Sequence, residues 1–277
     1  MTFLTHAPPA PLRPAVAQAV GYRVPANPTG LHRGLPSRHL TLVVELPAPL
    51  RVTGGAGAVA AHGVVGGLDT RPAFIDASRP QEGIQYALTP FGARALLGVS
   101  AAELAGHVVD LADLFGARAG DLVEQVRRAA GWAERFAVLD AALLRRLCAA
   151  PRPAQVPAEV ARAWQLIFAS QGPARVAAVA ADIGWSRRHL AARFRQATGL
   201  TPKQAVRVAR FEAARGLLLA PSRPALAAVA TGCGYADQSH LAREWRAMAG
   251  CSVGAWLREE FPFVHDTTAA DQGGWPA

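Results

Sequence analysis

Arginine is the side chain in this sequence with the most chemistry to offer, and its placement is uneven. Arg187, Arg188, Arg193 and Arg195 crowd one short stretch, and Gln238, Ser239, Arg243 and Arg246 occupy a second. A guanidinium can hold a phosphate, or the O6 and N7 edge of guanine, through two parallel hydrogen bonds, and glutamine can do the same for adenine. Such contacts need their side chains on the free face of a rigid element.

The sequence supplies that element twice. Val179-Ala-Ala-Asp-Ile-Gly-Trp-Ser-Arg-Arg-His-Leu reads against Val229-Ala-Thr-Gly-Cys-Gly-Tyr-Ala-Asp-Gln-Ser-His-Leu. Gly184 falls on Gly234 and Trp185 on Tyr235; after one inserted residue, His189-Leu190 falls on His240-Leu241, Phe194 on Trp245, Arg195 on Arg246 and Gly199 on Gly250. Two copies at an offset of about 50 residues mark one supersecondary unit used twice. Each copy opens with a short apolar helix (Val176, Val179, Ile183; Leu226, Val229, Cys233), turns at a glycine, and continues into a second helix. Leu190 and Phe194, or Leu241 and Trp245, stand four apart and bury one stripe of that second helix, which leaves the basic and polar face free. Ser186 and Asp237 are suitable N-caps for the second helices, Ser186 to Thr198 and Asp237 to Ala249. A helical hairpin with solvated arginines would account for one copy. Two copies with the same turn, stripe and basic face favour a pair of helix-turn-helix units.

These residues resemble the DNA-binding domain of the AraC family of bacterial transcription regulators. The motifs that carry the resemblance are Gly184-Trp-Ser-Arg-Arg-His-Leu, Phe194-Arg-Gln-Ala-Thr-Gly-Leu-Thr-Pro202, Arg210-Phe-Glu-Ala-Ala-Arg-Gly-Leu-Leu-Leu219 and Gly234-Tyr-Ala-Asp-Gln-Ser-His-Leu241, within residues 157 to 261. The resemblance implies a long joining helix, Pro202 to Leu219, with Val206, Ala209, Ala213 and Leu217 on its buried face. It implies double-stranded DNA as partner, with Ser186, Arg187, Arg188, His189, Arg193, Arg195, Asp237, Gln238, Ser239, His240, Arg243 and Arg246 at or near the duplex. In this reading Arg188, with Arg187, reads bases for the first unit while Arg193 and Arg195 hold phosphates, and Gln238 and Arg243 read for the second. One departure stands at Val253, where the family usually places the proline that Pro202 supplies in the first unit. The expectation is a last helix, Ser252 to Glu260, that is less pre-organised than one begun by proline.

Charge agrees with that partner. The sequence of 277 residues carries a net charge of +9. Residues 151 to 262 hold 15 lysines and arginines against 7 aspartates and glutamates, whereas residues 1 to 150 hold 14 against 11. The excess therefore sits on the repeated domain, as a phosphate-binding surface requires.

At this length two domains are expected, in an α+β chain: short strands suggest a small antiparallel barrel or sandwich at the N-terminus, which the resemblance implies is a cupin-like β-barrel with following helices, and an all-α double helix-turn-helix domain stands at the C-terminus. Residues 1 to 14 are proline-rich and are expected to form a disordered arm. Residues 15 to 148, which the resemblance implies are a sensor and dimerisation domain, hold candidate strands Val20–Val24, Leu40–Leu46, Val59–Val65, Ala73–Ala77 and Gly83–Leu88. Ser100-Ala-Ala-Glu103 has the form of a capping box opening a helix to about Leu114, followed by helices at 120–128 and 132–148. The stripe Phe136, Leu139, Leu143, Leu144 and Leu147 either packs back on the barrel or meets a second copy, a homodimer contact the resemblance also implies. Three prolines in residues 149 to 157 mark a linker, residues 158 to 262 are the DNA-binding domain, and residues 263 to 277 have the composition of a disordered tail. The resemblance further implies a small-molecule effector in the barrel, for which strand alternation nominates Val43, Phe74, Ile84 and Tyr86, and RNA polymerase as a candidate partner.

Other chemistry finds little support. The eight histidines form no His-x-His or His-Glu-x-x-His pattern, and the three cysteines (Cys148, Cys233, Cys251) form no Cys-x-x-Cys; buried small hydrophobes are the expected role of the latter. No metal and no cofactor is expected. Gly54-Gly-Ala-Gly57 lacks the Lys-Ser/Thr ending of a phosphate loop and reads as a turn. No Gly-x-Ser-x-Gly elbow or recognisable carboxylate pair occurs, so an enzyme is not expected. The N-terminus lacks the form of a signal peptide and no apolar run is long enough for a membrane span, so the expected location is the cytoplasm. Two alternatives remain: a DNA-binding protein whose N-terminal domain only dimerises, and an alkyl-transfer repair protein using Cys148.

Overall fold

The computed structural model describes residues 1–55, 57–150, 156–169, 174–222 and 224–259. In chain order these form strands β1 (Thr2–His6), β2 (Val16–Val24), β3 (Leu31–Gly34), β4 (Leu40–Glu45), β5 (Leu50–Gly54), β6 (Gly57–Ala61), β7 (Gly63–Gly66), β8 (Ala73–Asp76) and β9 (Gln81–Leu88). Helices α1 (Ala93–Leu97) and α2 (Ala101–Leu104), strand β10 (Val108–Asp110), and helices α3 (Leu111–Phe115), α4 (Arg118–Arg128) and α5 (Trp132–Ala149) complete the N-terminal domain. The C-terminal domain is helical: α6 (Ala158–Ala169), α7 (Val176–Asp182), α8 (Arg187–Thr198), α9 (Pro202–Leu219), α10 (Leu226–Gly232), α11 (Gln238–Ala249) and α12 (Val253–Glu259).

The strands form two sheets that do not close into one hydrogen-bonded barrel. One runs β1-β2-β9-β4-β7-β10 and the other β3-β8-β5-β6. Leu40-Thr-Leu-Val-Val-Glu45 is buried on both faces, as its unbroken apolar run predicts. Leu40, Leu42 and Val44 join Ile84, Tyr86 and Leu88 on the face covered by helices, whereas Val43 joins Leu50, Val52, Ala61 and Val64 between the sheets. The helical cover is α5: Phe136, Leu139 and Leu143 are buried and Leu144 and Leu147 are half-buried against the same core. The stripe on α5 thus packs back onto the sheet.

Several expectations are corrected. Residues 2–6 are not part of a disordered arm; they form β1, paired with β2 in continuous register from Thr2↔Arg23 to His6↔Ala19. A strand of polar threonines with one exposed leucine gives no alternation signal, and only the partner β2 supplies its hydrogen bonds. The single strand expected at Val59–Val65 is two, because the chain changes sheets at His62, whose Nδ1 lies 2.8 Å from the Glu45 carbonyl oxygen. The capping box at Ser100 is present, with Ser100 Oγ accepting from Glu103 N and Glu103 Oε2 accepting from Ser100 N at 2.8 Å. Its helix ends at Leu104 rather than near Leu114, because Val108–Asp110 leaves to pair with β7. Cys148 is exposed and Cys251 half-buried, so only Cys233 is a buried small hydrophobe. Residues 151–155 of the expected linker and the tail 263–277 lie outside the described residues.

The two domains share a core. Phe91 packs edge-on against Trp164 of α6 at 6.0 Å, and the cluster that begins under the six-stranded sheet continues through Ile167 and Val179 to Leu190 and Phe194. A second cluster holds Phe211, Leu241, Trp245, Met248 and Trp256 together, with Leu35 of the N-terminal domain packed against it.

Candidate nucleic-acid interface

Both reading helices begin as their sequences dictate. Ser186 Oγ accepts from His189 N at 3.2 Å and Asp237 Oδ1 accepts from His240 N at 2.6 Å, each satisfying one of the orphan donors at a helix start. Trp185 meets His189 edge-on at 4.5 Å, and Tyr235 meets His240 edge-on at 5.4 Å. The histidine that precedes the buried leucine is therefore a prop for the turn in both units. His240 Nδ1 also accepts from Ala236 N at 3.2 Å, which leaves Nε2 to carry its proton outward.

Each reading helix ends at a glycine in the left-handed region, Gly199 at φ +79° and Gly250 at φ +72°. A Cβ on Gly199 would come within 2.2 Å of the Ala105 Cβ, and one on Gly250 within 3.1 Å of the Phe74 ring. At these two positions backbone conformation and close approach both require glycine. The C-terminal ends of the reading helices thus face the N-terminal domain, and their N-terminal halves are open.

The open faces carry the expected residues. Leu190 and Phe194 are buried while Arg187, Arg188, His189, Ala192, Arg193 and Arg195 are exposed; Leu241, Trp245 and Met248 are buried while Gln238, Ser239, Arg243 and Arg246 are exposed and His240 is half-buried. From its cap onward Arg188 occupies the place of Ser239, Ala192 that of Arg243, and Arg195 that of Arg246. Helical spacing puts Arg187, Arg188 and Arg195 on one face of α8 and Arg193 away from it, whereas Gln238, Ser239, Arg243 and Arg246 share one face of α11. Arg193 Nη1 donates to Gln196 Oε1 at 3.1 Å, one turn along the same helix.

The joining helix α9 carries the second unit by a device the sequence did not advertise. Thr201 and Gln204 form a capping box ahead of Pro202, with Gln204 Oε1 accepting from Thr201 N at 2.8 Å. Ala205, Val208, Phe211, Ala214 and Leu218 are buried along with Val206, whereas Ala213 and Leu217 are exposed and Ala209 half-buried. Of the expected stripe only Val206 is buried, because α9 packs against both units and the burial stripe follows their two contact lines. On α9, Arg207 Nε donates to Glu244 Oε1 at 2.8 Å, Arg210 Nη2 lies 3.5 Å from Glu244 Oε2, and Arg210 Nη1 donates to the Gly234 carbonyl at 3.2 Å. The Arg210 guanidinium also lies over the Tyr235 ring at 5.2 Å. Burial, and then the negative charge of Glu244, push the Tyr235 hydroxyl well above its ordinary range, so it stays protonated. The only sequence signal for this cluster was two arginines three apart on α9 opposite a glutamate in the register that holds Arg193 in the other unit.

The four residues nominated for an effector do not converge. Ile84 and Tyr86 are buried on the helix-covered face, where Tyr86 Oη donates to Asp140 Oδ1 at 2.7 Å. Val43 lies between the sheets, and Phe74 stands beside Gly250 at the domain boundary. Alternation could rank these positions by burial but could not say which face of the sheet meets the helices. Between the sheets the polar chemistry belongs instead to Glu45, which is buried and accepts from Tyr22 Oη at 2.6 Å and from Glu82 N at 2.9 Å. Burial raises the Glu45 carboxyl to about 7 against these hydrogen bonds, and burial followed by the charge of Glu45 raises the Tyr22 hydroxyl. Among the described residues no group of three or more histidine, cysteine or acidic side chains is arranged to hold a metal, and no helix is long and apolar enough to cross a membrane.

Comparison with known proteins bears on the same residues. A family model described as a helix-turn-helix domain matches residues 179–259. The crystal structure of ToxT from Vibrio cholerae O395 superposes with a TM-score of 0.51 at 9% identity, over 87% of this chain and 97% of that one. Unsaturated fatty acid bound wild-type ToxT from Vibrio cholerae strain SCE256 does so with a TM-score of 0.52 at 8% identity, over 92% and 97%. At such identities the likeness is one of fold. A Chromobacterium violaceum transcriptional regulator with an AraC-type DNA-binding domain is 25% identical over 42% of this chain and 96% of its own, with a TM-score of 0.34. Among curated proteins none matches.

Proposed function

We propose that the chain is an AraC-type transcription regulator, a reading its match to a helix-turn-helix domain over residues 179–259 supports, and that it reads duplex DNA with α8 and α11 in adjacent major grooves, about 34–36 Å apart along one face of the helix. The observation that carries this reading is the repetition of one capped helix with one open, polar and basic face. In this reading Arg188, with Arg187, contacts bases for the first unit, Gln238 and Arg243 contact bases for the second, and Arg193, Arg195 and Arg246 hold phosphates. Ser186, Asp237, Ser239, His189 and His240 shape or flank the contact. Each bidentate base contact contributes roughly 1–3 kcal/mol of discrimination, whereas a phosphate contact strengthens all sequences alike. The test is selection of binding sites from a random library by the full chain and its variants. Arg188→Ala and Arg243→Ala relax the preference at one or two positions each, and Arg195→Ala weakens every sequence about equally. A selected motif unchanged by Arg243→Ala but altered by Arg195→Ala overturns the assignment.

The N-terminal domain is read as an effector-binding domain with no enzymatic role. Its support is the fold it shares with ToxT, of which one structure is described as bound to an unsaturated fatty acid. Of the four sequence nominees, Val43 keeps this role best, because it faces the space between the sheets with Tyr22 and Glu45. Thermal shifts of the full chain across a metabolite panel that includes unsaturated fatty acids test the reading. A panel with no shift, and a ligand-independent DNA affinity, would favour a domain that senses nothing.

A further inference from the structure

The second helix-turn-helix unit is gripped by the joining helix in a way the first is not. Arg207 and Arg210 stand three apart on α9 and so share one side of it. Both reach Glu244 of α11: Arg207 Nε donates to Oε1 at 2.8 Å, and Arg210 Nη2 lies 3.5 Å from Oε2. Arg210 Nη1 also donates to the Gly234 carbonyl at 3.2 Å, in the turn where the unit reverses. The unit is thus held at its turn and again midway along α11, and two points on a rigid rod fix both its place and its direction. Among the described residues no ion pair joins α8 to α9. Helix α8 is seated instead by Phe194 in the shared core and by Gly199 against Ala102 and Ala105 of α2.

Stability alone does not account for this clasp. Arg210 Nε, Tyr235 Oη and Glu244 Oε2 are buried without a hydrogen bond, and a buried polar network left part-satisfied is worse than an apolar contact in its place. Apolar packing already joins the two helices, with the Phe211 and Trp245 rings 4.8 Å apart. At its C-terminal end α11 meets Pro72 and Phe74 beside Gly250, again through apolar atoms. Such contacts have no preferred direction, whereas guanidinium and carboxylate hold a defined geometry. Glu244 also follows Arg243 directly, about 100° further round the helix. Whatever sets the direction of Glu244 therefore sets where Arg243 points.

We propose that Arg207, Arg210 and Glu244 are positioning residues: they fix the pose of α11 on α9 and so decide which separation of half-sites the protein accepts. The consequence for DNA rests on the DNA-binding reading above; the pose does not.

The test replaces the clasp by uncharged side chains, Arg207→Met, Arg210→Met and Glu244→Met together. Removing all partners at once strands no charge, and exchanges of this kind are often neutral or stabilising. The full chain and the variant are titrated with duplexes carrying the selected site, its spacer unchanged or altered by one base pair. For either altered spacer the parent should lose at least about tenfold in affinity, the share of one misplaced base contact, and the variant less than about threefold. Base preference in the first half-site should stay as it was, which a general loss of stability would not explain. A parent indifferent to spacing, or a folded variant with the parent's discrimination, overturns the proposal. Should the triple variant fail to melt cooperatively, Glu244→Gln takes its place, since it keeps an acceptor for Arg207. Its discrimination should fall below the parent's, and equality overturns the proposal. The pose is read without DNA from spin labels at Ala192→Cys and Ala247→Cys, both exposed, with Cys148 and Cys251 replaced by serine. The parent should give one narrow distance distribution and the variant without the clasp a broader one; equal distributions also overturn the proposal. A parent with the narrow distribution that binds no duplex sinks the DNA-binding reading and leaves the pose standing.

Discussion

The two helix-turn-helix units have the same local design and different foundations. Their turns lie at Gly184 and Gly234, their caps at Ser186 and Asp237, and a histidine stacks on the turn aromatic in each. Yet Phe194 of the first unit belongs to the core that continues under the six-stranded sheet, whereas Trp245 of the second belongs to a separate core with Phe211 and Trp256. The first unit is continuous with the N-terminal domain and exposes four arginines. The second hangs from α9 by Glu244, Arg207 and Arg210, and the position that is exposed Arg193 in one unit is inward-facing Glu244 in the other. The two copies keep what the helix needs locally and differ in what each rests on.

The largest effects should come from the two aromatic anchors. Phe194→Ala and Trp245→Ala each remove a fully buried ring, at a cost of about 3–5 kcal/mol. Hydrogen exchange should separate them. Phe194→Ala lowers protection in α1, α5 and α6 as well as in α8, while Trp245→Ala lowers it in α10 to α12 and leaves the sheets intact. Equal patterns would dissolve the distinction between a shared and a separate foundation.

Next is the ion-pair cluster. Glu244→Ala strands two guanidiniums that are mostly buried, and because some solvent reaches them the cost is about 2 kcal/mol, less than for a fully buried pair. Denaturant unfolding measures it, and Glu244→Gln should recover part of the loss by accepting from Arg207. No comparable loss is expected for Arg193→Ala, which is exposed.

The caps test how far the local equivalence extends. Ser186→Ala and Asp237→Ala should each cost about 1 kcal/mol in unfolding experiments, with Asp237 the larger, since its carboxylate makes the shorter bond and meets the positive end of the helix. The smallest effect concerns charge. Arg193→Ala should reduce the slope of log K against log salt by about 0.9, the share of one phosphate contact. Ala242 is exposed but carries no charge, and Ala242→Gly should leave the slope unchanged.

What could be read from sequence is what short-range physics controls. A capping serine or aspartate, a glycine at the turn, leucine and an aromatic four apart, and an arginine face are all satisfied within about a dozen residues, so the units and their open faces were legible as written. The same holds for the Ser100 capping box and for the strand buried on both sides at Leu40–Glu45. Tertiary structure decided the rest, because the deciding partner lay far along the chain. Thr2–His6 is a strand only because β2 offers it hydrogen bonds and Asp140, 134 residues away, receives His6. The stripe of α9 is set by two units packing on it at once, which moved burial from Ala213 and Leu217 to Ala214 and Leu218. Alternation said that Val43, Ile84 and Tyr86 are buried, but it could not assign them to opposite faces of the sheet. Periodicity reports that a side chain leaves water, and only the packing of distant elements determines what it meets there.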